Sequence, residues 1–150
     1  MFKRVVPELP DSADPWARSA VWLAKKFAQK ADVPLNSAHL LLGICKSGYN
    51  PATGSLKNAS VPLRKLKARI RQFLVSLDQT EPYSLAEWID EARVQMATLD
   101  QDWLGAEHLL LAVLSRPDSH AHQLLSDYEF TYDQACAEVI EFLGGDPNLI

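Results

Sequence analysis

The chain has 150 residues, of which 47% are hydrophobic, a formal net charge of −4, and only two cysteines, Cys45 and Cys136. That length can bury the core of one ordinary domain, and two cysteines are too few for the disulfide framework of a small secreted protein. No apolar run approaches the roughly 20 residues that a transmembrane helix needs. Composition therefore predicts a soluble cytoplasmic protein and excludes a membrane-spanning one.

Opposite charges are concentrated in opposite halves of the chain. Residues 1–77 contain 13 Lys/Arg and 4 Asp/Glu, a balance of +9, whereas residues 78–150 contain 2 Lys/Arg and 15 Asp/Glu, a balance of −13. Such asymmetry can mark a surface for nucleic acid or for a protein partner. Because the charges are spread over several amphipathic segments, we expect the two halves to attract each other across one interface.

The first predicted elements are two helices. Asp14 precedes a proline, which is typical of an N-cap followed by the first helical residue, and residues 20–28 carry an apolar stripe with helical spacing. Asn36 or Ser37 can cap the next helix. Residues 40–45 are apolar nearly all round that helix, so we expect it to lie in the core.

A loop and a long basic helix complete the first half. Residues 47–60 are rich in Gly, Ser, Asn and Pro and surround a possible short helix near Leu56. Pro62 begins a long amphipathic helix, whose basic positions between residues 64 and 71 could contact nucleic-acid phosphates. The stretch has no interleaved aromatics and no groove-reading motif. We therefore expect a solvated face, or one docked against the acidic half.

After a linker at residues 78–83, the second half shows the same kinds of signal. Residues 84–87 (Ser-Leu-Ala-Glu) form a capping box, and residues 105–114 predict a second buried helix. Asp118 can cap a short helix, and residues 131–134 (Thr-Tyr-Asp-Gln) form another capping box. Gly144 and the glycine after it are typical of a helix C-cap.

The second half repeats the first at an offset of 69 residues without a gap. Self-similarity at one offset implies a supersecondary unit used twice. We predict an all-α fold of about eight helices in one domain, 1–150, with repeat 1 at about 14–77 and repeat 2 at about 84–145. Identical pairs include Leu35 and Leu104, His39 and His108, Leu40 and Leu109, Leu56 and Leu125, and Phe73 and Phe142.

Two stretches resemble a known family. Residues 104–114 (LGAEHLLLAVL) and 35–44 (LNSAHLLLGI) are similar to the G-T-E-H-L-L-L-x-L-L stretch of the N-terminal repeats of Clp-family AAA+ unfoldases. The resemblance covers about residues 14–145 and implies two four-helix repeats. In that family the domain sits ahead of ATPase modules and recruits adaptors and substrate proteins.

The resemblance implies a non-catalytic protein-binding domain that recruits substrates or adaptors to a Clp unfoldase or protease. The 150 residues contain no G-x-x-x-x-G-K-[ST] loop that could hold nucleotide phosphates. Expected partners are protein substrates, adaptors or Clp ATPase and protease subunits, with no cofactor, nucleic acid or membrane. An alternative is a stand-alone accessory subunit that docks on the Clp protease core.

Some family members bind phosphorylated arginine, and this chain matches that site in part. The family's acidic residue accepts the guanidinium group, and nearby hydroxyls and backbone amides hold the phosphate. Glu107 keeps the acidic position in the second repeat, whereas Ala38 replaces it in the first. Ser37 keeps a hydroxyl in the first repeat, whereas Ala106 lacks it in the second. Ser37 and Glu107 are therefore the candidate ligand-binding residues.

The histidines admit a catalytic or a metal-binding interpretation, and neither is favoured. His39 and His108 occupy equivalent positions at helix starts, where we expect them to satisfy backbone groups. His120, His122 and Cys136 could be zinc ligands of a metal-dependent enzyme. They lack the paired spacing of structural zinc sites, so we expect no metal.

The four tryptophans are numerous for this length. Trp88 fits a buried stripe, Trp22 lies beside one, and Trp103 precedes a core helix. With Trp16, one or two of them could be exposed, and an exposed aromatic side chain on a rigid helical domain can anchor a protein partner. Packing in the core is the more frequent fate of such residues, and we favour it here.

Overall fold

A computed structural model describes residues 6–76 and 81–143, and within these ranges the chain forms eight α-helices and no strand. This confirms the predicted all-α class. None of these helices combines the length and apolar character that crossing a bilayer requires. In chain order the helices are α1 (Pro15–Ala31), α2 (Ser37–Lys46), α3 (Pro51–Asn58), α4 (Leu63–Ser76), α5 (Leu85–Thr98), α6 (Ala106–Leu114), α7 (His120–Ser126) and α8 (Tyr132–Phe142).

Helices α2 and α6 form the centre of the molecule. Every residue of α6, and every residue of α2 except the last, is buried. Helix α2 packs on α1 and α4 of its own half and on α6 and α7 of the other, while α6 packs on α5 and α8 and also on α2 and α3. The helices therefore share one apolar core to which both halves contribute.

The spacing of the helices follows the offset read from the sequence. Helices α6, α7 and α8 begin 69 positions after α2, α3 and α4, and α5 begins 70 positions after α1. The close approach of α2 to α1 in the first half has no counterpart between α6 and α5 in the second. A Cβ on Gly43 of α2 would stand 2.2 Å from the Ala20 carbonyl oxygen of α1. The equivalent position in α6 is Ala112, which is fully buried.

Four helices, α1, α2, α5 and α8, begin at caps that the sequence predicts, although Gln134 of α8 bonds to Glu138 and does not complete the predicted capping box. Asn36 caps α2, because its Oδ1 accepts from the N–H groups of Ala38 and His39. Ser84 and Glu87 form the expected capping box of α5. The C-cap predicted at Gly144 falls outside the described residues.

The predicted cap of α7 at Asp118 is wrong, because Ser119 holds that position. The Ser119 hydroxyl accepts from the His122 N–H at 3.0 Å and donates to the Val113 carbonyl of α6 at 2.7 Å. Asp118 instead accepts from the Tyr83 hydroxyl at 2.7 Å. Contacts between distant segments thus decided which of the two neighbours became the cap.

Candidate functional site

The segment before α1 pairs with the segment before α6. The Asp14 N–H donates to the Leu104 carbonyl at 2.9 Å, and the Leu104 N–H donates to the Ser12 carbonyl at 3.1 Å. Asp14 is also the N-cap of α1, where its Oδ1 accepts from the Ala17 N–H at 2.8 Å. These bonds place an acidic side chain of the first half beside the first turn of α6.

Glu107, in that first turn, is completely buried. Neither of its carboxylate oxygens has a hydrogen-bond partner among the described residues. A Cβ on Gly105 would stand 1.9 Å from Glu107 Oε1 and 2.9 Å from Asp14 Oδ2, so the two carboxylates crowd the same point. The site therefore brings two acids together at a position where only glycine fits.

Burial dominates the electrostatics of this acid pair. Burial, aided by the charge of Asp14, raises the pKa of Glu107 to about 7. The Glu107 backbone N–H and the Trp103 indole approach closely enough to oppose that rise, without the geometry of a full hydrogen bond. Burial likewise raises the pKa of Asp14, against the hydrogen bond from Ala17. A cation brought between the two carboxylates would favour their ionised forms.

The nearest arginine is already committed elsewhere. The Arg18 guanidinium donates to the backbone carbonyls of Ala13, Pro10 and Asp11 at 3.1 to 3.3 Å. The charge of Arg18 lowers the pKa of Asp14, but the two side chains form no ion pair. An incoming guanidinium or ammonium group would therefore find acceptors that the described chain does not use.

Two half-exposed tryptophans lie near the members of this site in the sequence. Trp103 is 40% exposed and its indole lies close to Glu107, while Trp16, two residues after Asp14, is 41% exposed. The expected stripe residue Trp88 is buried, at 1% exposure. The Trp103 ring beside the acid pair suits a cationic side chain, because the ring quadrupole attracts positive charge.

Ser37, the other predicted site residue, is fully buried and engaged with the linker. Its N–H donates to Glu81 Oε1 at 2.5 Å and its hydroxyl to Glu81 Oε2 at 2.9 Å. The same hydroxyl accepts from the Ala121 N–H at 3.0 Å, and Glu81 Oε2 accepts from the His120 N–H at 3.1 Å. A linker carboxylate thus joins the first turns of α2 and α7.

The two predicted site residues have separate surroundings. Ser37 bonds to Glu81, whereas Glu107 faces Asp14, and Ala38 offers no acid at the position equivalent to Glu107. Sequence reasoning missed Asp14 and Glu81 as members of these sites. The only available signal was an acid just before the first helix of each half, and Asp14 was already explained as a cap.

His39 and His108 satisfy backbone groups, which confirms the structural expectation for them. His39 Nδ1 accepts from the Asn36 N–H at 3.1 Å, and His108 Nδ1 accepts from the Gly105 N–H at 2.8 Å. Burial lowers the pKa of each imidazole to about 4, so both are neutral acceptors at pH 7. The second ring nitrogen of His108 bonds to Gln101 Oε1.

The residues considered for zinc occupy different surroundings. The His120 ring packs against Phe73 with centroids 5.0 Å apart, and His122 lies in the first turn of α7. Cys136 is buried on α8, where burial raises its pKa. No three His, Cys, Asp or Glu side chains converge within residues 6–76 and 81–143.

Comparison with known proteins is consistent with this fold. The chain is 25% identical over 135 residues to a probable ATP-dependent Clp protease ATP-binding subunit of Chlamydia pneumoniae, covering 85% of this chain and 16% of that protein. It is similar to the N-terminal domain of the caseinolytic protease associated chaperone ClpD from Arabidopsis thaliana, with a TM-score of 0.68 and 17% identity. That match covers 90% of this chain and 96% of the plant domain and supports the fold alone.

The family model described as Clp repeat (R) N-terminal domain matches residues 14–128. This range includes the first seven helices and the acid pair of Asp14 and Glu107. The domain type is non-catalytic, and the curated relative carries it within a much longer protein. Because the match spans most of the sequence, the chain belongs to the Clp repeat N-terminal domain family.

Proposed function

We propose that this chain is a non-catalytic protein-binding domain that recruits substrates or adaptors to a Clp unfoldase or protease. It acts as one unit over residues 1–150, with repeats at about 14–77 and 84–145. Membership of the family supports a protein partner. The observation that carries the proposal is the carboxylate of Glu107, which is buried, unpartnered and adjacent to a second acid.

The acid pair is suited to the side chain of arginine. A guanidinium group presents several N–H donors in a planar fork and is less strongly hydrated than an ammonium group. It could donate to Glu107 and Asp14 together and would remove the cost of an unpartnered buried carboxylate. Glu107 has no exposed surface, so entry requires movement of a neighbour, and the half-exposed Trp103 side chain is the candidate for that movement.

The neighbouring acid favours unmodified arginine over phosphoarginine. The phosphate would carry negative charge towards the half-buried Asp14, and repulsion between two anions in a partly buried site is costly. Ser37 now donates its N–H and its hydroxyl to the Glu81 carboxylate. Ser37 could help to hold a phosphate only if Glu81 moved away. In this proposal Glu107 is the main ligand contact, and Ser37 contributes only in that opened state.

Three matched peptides test this proposal. Each is a flexible Gly/Ser decamer with one central residue, which is arginine, citrulline or phosphoarginine, and binding to the 150-residue chain is followed by calorimetry. Citrulline keeps the shape of arginine and lacks its charge. We expect the arginine peptide to bind at least about tenfold more tightly than the other two, as charge-assisted pairs allow.

The matched variants are Glu107→Gln and Glu138→Gln. Glu138 bonds to Gln134 on α8 and serves as the control for loss of one negative charge. Only Glu107→Gln should abolish the preference for arginine over citrulline. Equal binding of all three peptides would contradict the site, and binding to a Clp peptidase ring with no peptide affinity would favour the accessory-subunit function.

A further inference from the structure

A long stretch of the first half carries positive charge alone. Residues 33–77 contain seven Lys/Arg and no Asp or Glu. Helices α2, α3 and α4 lie within this range. Within the described ranges, only one ion pair joins a base of residues 1–77 to an acid of residues 78–150, namely Arg69 with Asp127. The attraction expected between the halves therefore leaves most of this positive charge unpaired.

The unpaired cations surround a shallow hollow where α3 ends and α4 begins. Lys57, Arg64 and Lys67 line a space of about 520 Å³, together with the accessible apolar residues Pro62 and Leu63. Lys57 and Arg64 are exposed, and Lys67 is half-buried. None of the three forms an ion pair with a described carboxylate. We call this surface the basic hollow.

The lining of the basic hollow combines two kinds of affinity. The cations attract an anion over a distance comparable with the Debye length, which is about 8 Å at physiological salt. The apolar wall offers contact to one aliphatic or aromatic side chain. A segment of polypeptide with acidic residues on both sides of one apolar residue matches both features.

A protein segment fits this surface better than a nucleic acid does. A nucleic acid extends well beyond three cations and would approach the second half, whose balance is −13. Repulsion from that half opposes a long polyanion, whereas a short acidic segment can stay within the basic hollow. Nucleic-acid-binding surfaces also combine stacking aromatics or a groove-reading helix. The lining of the hollow contains neither, and the exposed Tyr49 ring beside it already contacts Lys57, whose Nζ lies 5.7 Å from the ring centroid.

We propose that the basic hollow binds an extended acidic segment of a protein partner and seats one apolar side chain of that segment against Pro62 and Leu63. This inference rests on the proposed function, because it names the chemistry of one class of recruited protein. The surface is distinct from the acid pair at Glu107, which attracts the opposite charge. The two proposals can therefore fail separately.

The test uses a fluorescein-labelled dodecapeptide with Asp and Glu around a central leucine, and anisotropy measures its binding to the 150-residue chain. Replacing Lys57, Arg64 and Lys67 together by glutamine should weaken binding at least about tenfold, since each pair contributes modestly. Replacing the peptide leucine by serine should weaken it about fivefold. Binding should also weaken as salt rises.

A second triple variant removes the same charge elsewhere. Lys26, Lys30 and Arg93 are exposed and lie outside the basic hollow, so their replacement by glutamine should change affinity by less than about twofold. Circular dichroism must show equal melting for both triple variants. A third variant replaces the exposed Lys57 alone by alanine and should lose less peptide affinity than the first triple variant. It keeps the inference testable if the first triple variant does not fold.

Several results would overturn the inference. Equal losses in both triple variants would show that only overall charge matters. Tighter binding of a single-stranded dodecanucleotide than of the peptide would assign the surface to nucleic acid. A concentration-dependent dimer that the hollow variant abolishes would assign it to a second copy of the chain. If the triple variant of Lys57, Arg64 and Lys67 still binds the arginine decamer, failure of the inference about the basic hollow leaves the proposed function intact.

Discussion

Replacing Glu107 by glutamine should stabilise the protein above neutral pH. Glutamine has nearly the same shape and cannot ionise, so the variant keeps the packing and removes the buried charge. Burial raises the pKa of Glu107 to about 7 in the folded state, from an ordinary value of 4.5. The folded protein therefore holds this proton to higher pH than the unfolded chain does.

The sign and size of the effect follow from that difference. The contribution of Glu107 to stability is fully present below pH 4.5 and is lost as pH rises to about 7. Above that pH the ionised, buried carboxylate costs about 3 kcal/mol relative to a neutral group of the same shape. The variant should therefore exceed the parent by about 3 kcal/mol at pH 8 and by little at pH 5.

Urea unfolding followed by circular dichroism measures this difference directly. The free energy of unfolding is determined at pH 5 and at pH 8 for the parent, for Glu107→Gln and for the control Glu138→Gln. A variant-minus-parent difference that is equal at the two pH values would refute the reasoning, because only ionisation depends on pH. The same variant should lose the arginine preference, which would link the instability of the site to its function.

Three further substitutions test the packing and the caps by urea unfolding. Gly43→Ala should destabilise the fold by about 3 kcal/mol, because the added Cβ would overlap the Ala20 carbonyl of α1. Glu81→Ala should cost about 2 kcal/mol, since the buried Ser37 N–H loses its acceptor, and amide exchange at Ser37 should accelerate. His108→Ala removes the acceptor at the start of α6 and should cost about 2 kcal/mol at pH 7.5. Burial lowers the pKa of His108 to about 4, so its contribution to folding stability is complete above pH 6.5 and disappears as pH falls to 4. The stability of the variant should therefore depend less on pH between 6.5 and 4 than that of the parent.

The proposed ligand sites differ in charge and in position. The acid pair at Glu107 would take a positive side chain, and the basic hollow at Lys57 would take a negative segment. A recruited protein that carries both kinds of charge could engage both surfaces, and linked contacts raise the overall affinity through effective concentration. The division of charge along the sequence would then serve recognition more than cohesion between the halves.

The sequence alone was sufficient for the helical plan. Caps such as Asn36 and Ser84 act on N–H groups two or three residues further on, so their effect can be read from neighbouring residues. The nearly uniform apolar character of α2 and α6 placed both helices in the core, because a helix without a polar face must be buried. The shared offset then identified the two halves as copies of one unit.

Only the tertiary structure decided the composition of the sites. Glu107 and Ser37 could be singled out from a short motif, but the partner of Ser37, Glu81, is 44 positions away, and Asp14 reaches Glu107 from the other half. The choice of Ser119 over its neighbour as the cap of α7 likewise depended on a contact with α6. Periodicity and capping report interactions within one turn, whereas burial, shifted pKa values and an unpartnered carboxylate arise when separate helices enclose the same volume.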